Sequence, residues 1–175
     1  MTFSRHMFSR VVGLSALCLA ALIAHGQELE KATTKGGVSI QFPAGWVVVG
    51  AAQLPAAAAS GADKDGTGTY QATLAISQEA GGKADATGRQ TAMAKQLQGY
   101  KVIEPPTNCN FAGLQGVYIG GTFKNPNANG QLRSRQYIFN VNNQIYVVNF
   151  TCLESMWKSY QPLLESSIAT LSIKK

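Results

Sequence analysis

Three stretches in the second half of the chain, Gln115 to Phe123, Leu132 to Val141 and Ile145 to Thr151, are runs of strand length separated by turn-forming segments. Runs of that length, bounded by turn signals and rich in β-branched and aromatic residues, read as strands. The connectors are short and rich in residues that tolerate positive φ, namely Asn125-Pro126-Asn127-Ala128-Asn129-Gly130 and Asn142-Asn143. Connectors of that length force antiparallel neighbours, because a parallel pair needs a crossover of roughly a dozen residues or more. An antiparallel meander is therefore expected, and the rest of the chain has to pack on it.

The first half reads less regularly. Val38 to Phe42 alternates as a strand, Pro43-Ala44-Gly45 makes a tight turn, and Trp46 to Val49 is an apolar, β-branched stretch. From Ala51 to Thr69 the composition turns to Ala, Gly and small polar residues, with a short helix expected around Ala56 to Ala59 and a glycine-rich loop after it. Tyr70 to Ser77 returns to strand spacing before Gly81-Gly82. Thr87 to Gln98 has helical spacing, with Ala86, Met93, Leu97 and Tyr100 in one stripe and Gly99 as its stop. Lys101 to Glu104 reads as a brief strand ended by Pro105-Pro106. The chain closes on an amphipathic helix carrying Trp157, Tyr160, Leu164, Ile168 and Leu171, with Ser159 as N-cap and Pro162 in its first turn. These elements make an α+β domain, an antiparallel sheet with helices packed on it, with no repeat and no second domain.

The N-terminus has the three regions of a secretory signal. Arg5, His6 and Arg10 precede any acid, Val11 to Ala24 is a 14-residue apolar stretch, and Ala24-His25-Gly26 offers small residues for cleavage between Gly26 and Gln27. The apolar stretch is shorter than the roughly 20 residues that span a bilayer; an uncleaved anchor is the alternative. Cys18 lacks a lipoprotein context, since Leu17 stands where Gly, Ala or Ser is needed. The expected organisation is a signal peptide over 1–26, a polar lead-in over 27–35 and one domain over 36–175. The location expected is periplasmic or secreted. Cleavage of 26 residues from the 175 leaves 149 and lowers the net charge from +6 to +4, with 13 basic against 9 acidic residues.

It also removes both histidines, His6 and His25. Most hydrolytic and metal chemistry near neutral pH relies on imidazole, so this loss narrows the functional classes. Asp63-Lys64-Asp65-Gly66-Thr67 has the letters of a phosphotransferase loop, but no acidic pair downstream would hold magnesium. As a calcium loop it puts Leu74 where a bidentate Glu is required, and it reads as a solvated turn. Ser155-Met156-Trp157-Lys158 matches S-x-x-K without the companion signatures. Gly66-Thr67-Gly68 lacks the third glycine of a dinucleotide loop. Asn149-Phe150-Thr151 fits the glycosylation pattern but falls inside a strand. The 9 acids are not grouped for glycosidase work. No enzyme, no metal and no cofactor is expected.

Three features remain as candidate sites. Cys109 and Cys152 survive cleavage, and an oxidising compartment makes one disulfide a first expectation; two half-buried thiols are the alternative, because the expected strands bearing them place the pair far apart. Arg133, Arg135 and Tyr137 share a strand face and could receive an anionic group, or form a solvated strand end. Trp46 and Trp157 are expected to close opposite sides of one core. The scattered lysines and arginines give nucleic-acid binding little support, and leave an unspecific attraction to anionic surfaces such as phospholipid head groups.

Gly37 to Trp46, with its Phe-Pro-Ala-Gly-Trp turn, and Ile145-Tyr146-Val147-Val148 through Trp157 to Thr170-Leu171-Ser172-Ile173 together resemble the PsbP-like superfamily. The resemblance spans nearly the whole mature chain. It implies an αβα sandwich around a central antiparallel sheet, as in the extrinsic photosystem II subunit and bacterial envelope members of the DcrB and LpqN kind. It further implies a binding or accessory module, and the leading expectation is one that engages a protein or envelope partner through its sheet edge or loops. A carrier of a small apolar or lipid ligand between sheet and helix is the alternative, and an enzyme built on lysine, tyrosine and carboxylates is a distant third competitor. The absence of mature histidines departs from the photosynthetic members and argues against a metal-linked role.

Overall fold

The computed structural model describes residues 29–33, 37–49, 59–64, 70–79, 81–82, 84–126 and 128–173. The meander forms as expected: β7 (Leu114–Lys124), β8 (Gln131–Val141) and β9 (Gln144–Leu153) follow one another antiparallel. β5 (Tyr70–Glu79) joins β9 on one side and β6 (Lys101–Phe111) joins β7 on the other. With β3 (Val47–Val49) and β4 (Ala59–Lys64), the sheet has seven strands in the order β3-β4-β5-β9-β8-β7-β6. A second sheet orders β1 (Leu29–Thr33), β2 (Val38–Pro43) and β10 (Ser172–Ile173) as β1-β2-β10.

The alternation along the strands sorts side chains onto two faces, and each face recruits one helix. Ala72, Leu74 and Ile76 of β5, Tyr137 and Phe139 of β8, and Tyr146, Val148, Phe150 and Cys152 of β9 share a core with Trp157, Tyr160, Leu164 and Ile168 of α2 (Trp157–Ala169). Val38, Ile40 and Phe42 of β2 enter the same core, so the small sheet and α2 cover one face together. On the opposite face Ile119, Ile138, Ile145 and Val147 meet Ala86, with Met93 packed against them, from α1 (Ala86–Gln96). The result is the αβα sandwich. Both tryptophans are buried in the larger core, Trp46 against Tyr160 with centroids 6.3 Å apart and Trp157 against Phe150 at 5.7 Å.

Turn chemistry explains the hairpins. Asn142 and Asn143 both take positive φ, +51° and +59°, which matches a two-residue turn to the twist of β8 and β9. The β6–β7 hairpin uses Ala112-Gly113 at φ +51° and +77°. Alanine has no side-chain polarity to offset the left-handed conformation, which costs roughly 1–2 kcal/mol for an ordinary residue. Ala112→Asn is expected to raise unfolding stability by roughly 0.5–1 kcal/mol, read from denaturant midpoints; a loss of stability would contradict the turn.

Several expectations need correction. The lead-in over 27–35 contributes β1, which pairs antiparallel with β2 from Leu29↔Pro43 to Thr33↔Ser39. Ala59 opens β4 instead of closing a helix, and residues 56–58 lie outside the described residues. Asp63 and Lys64 end β4 beside a register shift, where a solvated turn was expected; 65–68 lie outside the described residues. β6 does not stop at Pro105-Pro106 but continues to Phe111, with irregularities at Val102/Glu104 and Glu104/Thr107. It is the outermost strand of its sheet, so prolines without N–H groups cost it no ladder bond on the outer side. α2 begins at Trp157 after a 3₁₀ turn over Glu154–Met156, which places Pro162 inside the helix. Pro162 sits on the exposed side, where water can reach the carbonyl it leaves unpaired. The signal segment with Gly26 and Gln27 lies outside the described residues.

Candidate functional site

The irregular part of β6 creates the most unusual chemistry in the domain. Glu104 lies opposite Gly120 of β7, and Gly120 lies opposite Arg135 of β8. The three form one row across the sheet, and the middle member has no side chain. A Cβ at Gly120 would sit 3.0 Å from Glu104 Cδ and closer still to its Oε2. The glycine is thus the gap through which the Glu104 carboxylate crosses an entire strand to reach the arginines. From the opposite face Gln90 of α1 holds the backbone at the same place: its Nε2 donates to Glu104 O at 2.9 Å and to Gly120 O at 3.4 Å.

Arg135 grips Glu104 with a fork. Its Nε donates to Oε2 at 2.9 Å, and its Nη2 donates to Oε1. Arg133 Nη2 donates to the same Oε1 at 3.0 Å. Each arginine has a second carboxylate nearby: Glu154 Oε1 at 3.5 Å from Arg133 Nη1, and Glu165 Oε1 of α2 at 3.7 Å from Arg135 Nη1. Arg135 Nη1 also donates to Tyr137 Oη at 3.2 Å. The Trp157 ring lies under both guanidinium groups, 4.0 Å from Arg133 Cζ and 4.9 Å from Arg135 Cζ, and Tyr118 lies 5.2 Å from Arg135 Cζ. Arg135 is only 8% exposed.

Electrostatics follow from this geometry. Burial pushes the Glu104 carboxyl up, but the hydrogen bonds and charges of Arg135 and Arg133 together outweigh it and hold the pKa below the usual carboxylate value. Burial pushes Tyr137 up, and the neighbouring Arg135 only partly offsets this, so its hydroxyl stays protonated near neutral pH. Two cations facing three carboxylates leave neither guanidinium without an acidic partner. Arg133, Arg135 and Tyr137 share a face; the two arginines hold the chain's own Glu104, while Tyr137 bonds to Arg135. They are not a solvated strand end. The sequence does not single out Glu104, because its partners lie 29 and 31 residues away; the glycine inside a strand run is the one signal of a close approach.

The cysteines are separate and free. Cys109 of β6 pairs in register with Gly116, Gly116 with Phe139, and Phe139 with Tyr146, whereas Cys152 lies six residues further along β9. Three strand spacings of about 4.8 Å and that offset put the thiols far beyond bridging distance. The expectation of a disulfide is therefore corrected. Burial pushes Cys109 to about 11, and burial with the Glu154 charge pushes Cys152 to about 12. Neither is a thiolate at neutral pH. Thiol labelling without reductant is expected to modify Cys109 slowly and Cys152 only after denaturation; a protein in which neither reacts even when denatured would contradict free thiols.

The other motifs stay apart from the cluster. Ser155 and Lys158 are both exposed, and Asn149 sits in β9 with its Nδ2 donating to Thr151 Oγ1 at 3.4 Å. Leu74 is buried in the core. Among the described residues no group of three or more His, Cys, Asp or Glu side chains is placed to hold a metal ion, and no helix is long and apolar enough to cross a membrane. A shallow, open groove of about 530 Å³ lies at the β6–β7 hairpin, lined by Asn108, Cys109, Asn110, Gln115 and Gly116.

Comparison with known proteins places this architecture. LpqN of Mycobacterium tuberculosis, described as involved in cell envelope biogenesis, superposes with a TM-score of 0.58 at 12% identity, covering 86% of this chain and 88% of that one. The cyanobacterial PsbP protein (CyanoP) of Synechocystis sp. PCC 6803 gives 0.55 at 14% identity, covering 89% and 99%. PA94, a Pseudomonas aeruginosa protein of unknown function, gives 0.56 at 17% identity, covering 85% and 99%. These likenesses establish the PsbP-like fold that the sequence resemblance implied. No curated protein matches the sequence. The profile of one family matches residues 23–167, and the chain accordingly belongs to the Lpp-LpqN family, described as probable lipoprotein LpqN.

Proposed function

We propose that the protein is an exported, non-catalytic binding module of the cell envelope that engages an envelope protein through the outer edge of β6. The observation that carries this reading is the state of that strand. β6 is outermost in a seven-stranded sheet, exposed or half-buried along all of its length, and flanked over Asn108 to Asn110 by a groove with three side-chain amides. Amides and an unpaired strand edge suit an extended peptide segment, which adds backbone hydrogen bonds along the edge. Membership in the LpqN family and the described role of the M. tuberculosis protein support the envelope setting.

The polar cluster supports a binding role over a catalytic one, because its guanidinium groups are already occupied by Glu104, Glu154 and Glu165. The carrier reading loses support from the core between the large sheet and α2, which Trp46, Tyr137, Phe139, Phe150 and Tyr160 fill with the chain's own rings. The test is photocrosslinking in intact envelopes from a reactive residue at position 110, with position 158 on α2 as control. One saturable protein adduct is expected from 110, competed by the unlabelled protein and not by an Asn108→Arg/Asn110→Arg variant. Adducts from both positions alike, or competition by that variant, would refute an edge-bound partner.

A further inference from the structure

Between Asp85 and Glu154 the chain has one acidic residue, Glu104, and six basic ones: Arg89, Lys95, Lys101, Lys124, Arg133 and Arg135. Glu104 is turned inward onto Arg133 and Arg135, and Arg89 is paired with Glu79. Lys95, Lys101 and Lys124 are left, all three exposed. Among the described residues no carboxylate pairs with them. The fold gathers them at one corner. Lys95 is in the last turn of α1. Lys124 N donates to Gln98 O at 2.9 Å, just past that turn, and its stem lies beside Gly99. Lys101 opens β6 opposite Thr122, two residues before Lys124.

The same corner displays Val102 and Ile103, 51% and 46% exposed. They are two of the three large apolar side chains exposed among the described residues; the third, Val47, belongs to the opposite edge strand. Val102 lies opposite Gly121 and Glu104 opposite Gly120, so Ile103 is an extra, bulged residue. A bulge re-aims side chains. Here it lets Glu104 turn inward while the two apolar neighbours stay outside.

We propose that this corner docks on an anionic phospholipid bilayer, with the three lysines against head-group phosphates and Val102 and Ile103 dipping into the interfacial layer. Two apolar side chains are too few for the core of a stable protein interface, which takes roughly 800 Å² per partner. Flexible lysine stems around a small apolar tip suit a fluid plane of phosphates. The site is at the opposite end of β6 from the amide groove, so this proposal and the protein-partner reading can fail independently.

The test uses protein recovered after export, its N-terminus determined, in sedimentation with vesicles of phosphatidylglycerol and phosphatidylcholine against phosphatidylcholine alone. Binding only to the anionic vesicles is expected, weakening as salt is raised. At roughly fivefold per lysine, Lys101→Gln/Lys124→Gln should weaken it about ten- to thirtyfold. Val102→Ser/Ile103→Ser should also weaken it, and Ile103→Trp should show a blue-shifted emission on anionic vesicles only. Near-UV dichroism should stay unchanged in the glutamine and serine variants, as the altered side chains are exposed. Equal binding to neutral vesicles, binding indifferent to these substitutions, or no vesicle binding alongside retention on an acidic protein would overturn the proposal.

Discussion

Gly120→Ala is expected to destabilise the domain by about 3 kcal/mol, far more than a methyl group in a strand should cost. The new Cβ would fall on the path of the Glu104 side chain, whose end is flexible and can swing away. Swinging away is the damage, because it leaves Arg135, 8% exposed, without the carboxylate that accepts two of its hydrogen bonds. Removing one member of a buried pair costs roughly 3–5 kcal/mol because the other charge stays desolvated. Glu104→Ala should therefore cost about as much as Gly120→Ala, and the two should not add. In the Glu104→Ala background the glycine substitution should retain only the cost of its contact with Ser134 O, 3.1 Å from the added carbon. Denaturant melts of the four proteins measure this; additive costs would show that Gly120 serves the backbone and not the carboxylate.

Trp157→Ala is the second large effect, about 3–5 kcal/mol. The indole does three jobs at once. It fills the core against Phe150, its Nε1 donates to Gln161 Oε1 at 2.9 Å, and its ring supports both guanidinium groups. Trp157→Phe keeps a ring but loses the donor and part of the area, so it should cost clearly less, on the order of 1–2 kcal/mol. The order of the two variants is the informative outcome. Equal costs would mean that the ring's position under Arg133 and Arg135 contributes nothing.

The sequence was most readable where strand-length runs and turn chemistry agree. The β7–β8–β9 meander, the Asn142-Asn143 turn, the inward positions of α2 and both tryptophan anchors all follow from spacing within a few residues. What escaped depends on contacts between distant segments. Pro105-Pro106 reads as a stop, and only the place of β6 at the sheet edge lets the strand continue. Leu29–Thr33 reads as a polar lead-in because its strand character comes from pairing with β2. Arg133 and Arg135 were legible as an anion-seeking pair, but their partner was not. The register that aligns Glu104, Gly120 and Arg135 exists only once two hairpins have formed. The glycine was the clue in plain view.

The charged cluster is an internal brace closed by Glu104, and acid should release it. A carboxyl held below its ordinary value in the folded protein stabilises above the unfolded pKa of about 4.3, and that stability is lost as pH falls through the folded value. Glu104→Gln mimics the protonated group at every pH. Acids away from the cluster titrate alike in both proteins and cancel in the comparison. The measurement is the difference in unfolding free energy between the wild type and Glu104→Gln across neutral to acid pH. It should be large and flat above about pH 5 and shrink steadily below about pH 4. A difference that stays constant into acid, or grows there, would contradict the brace.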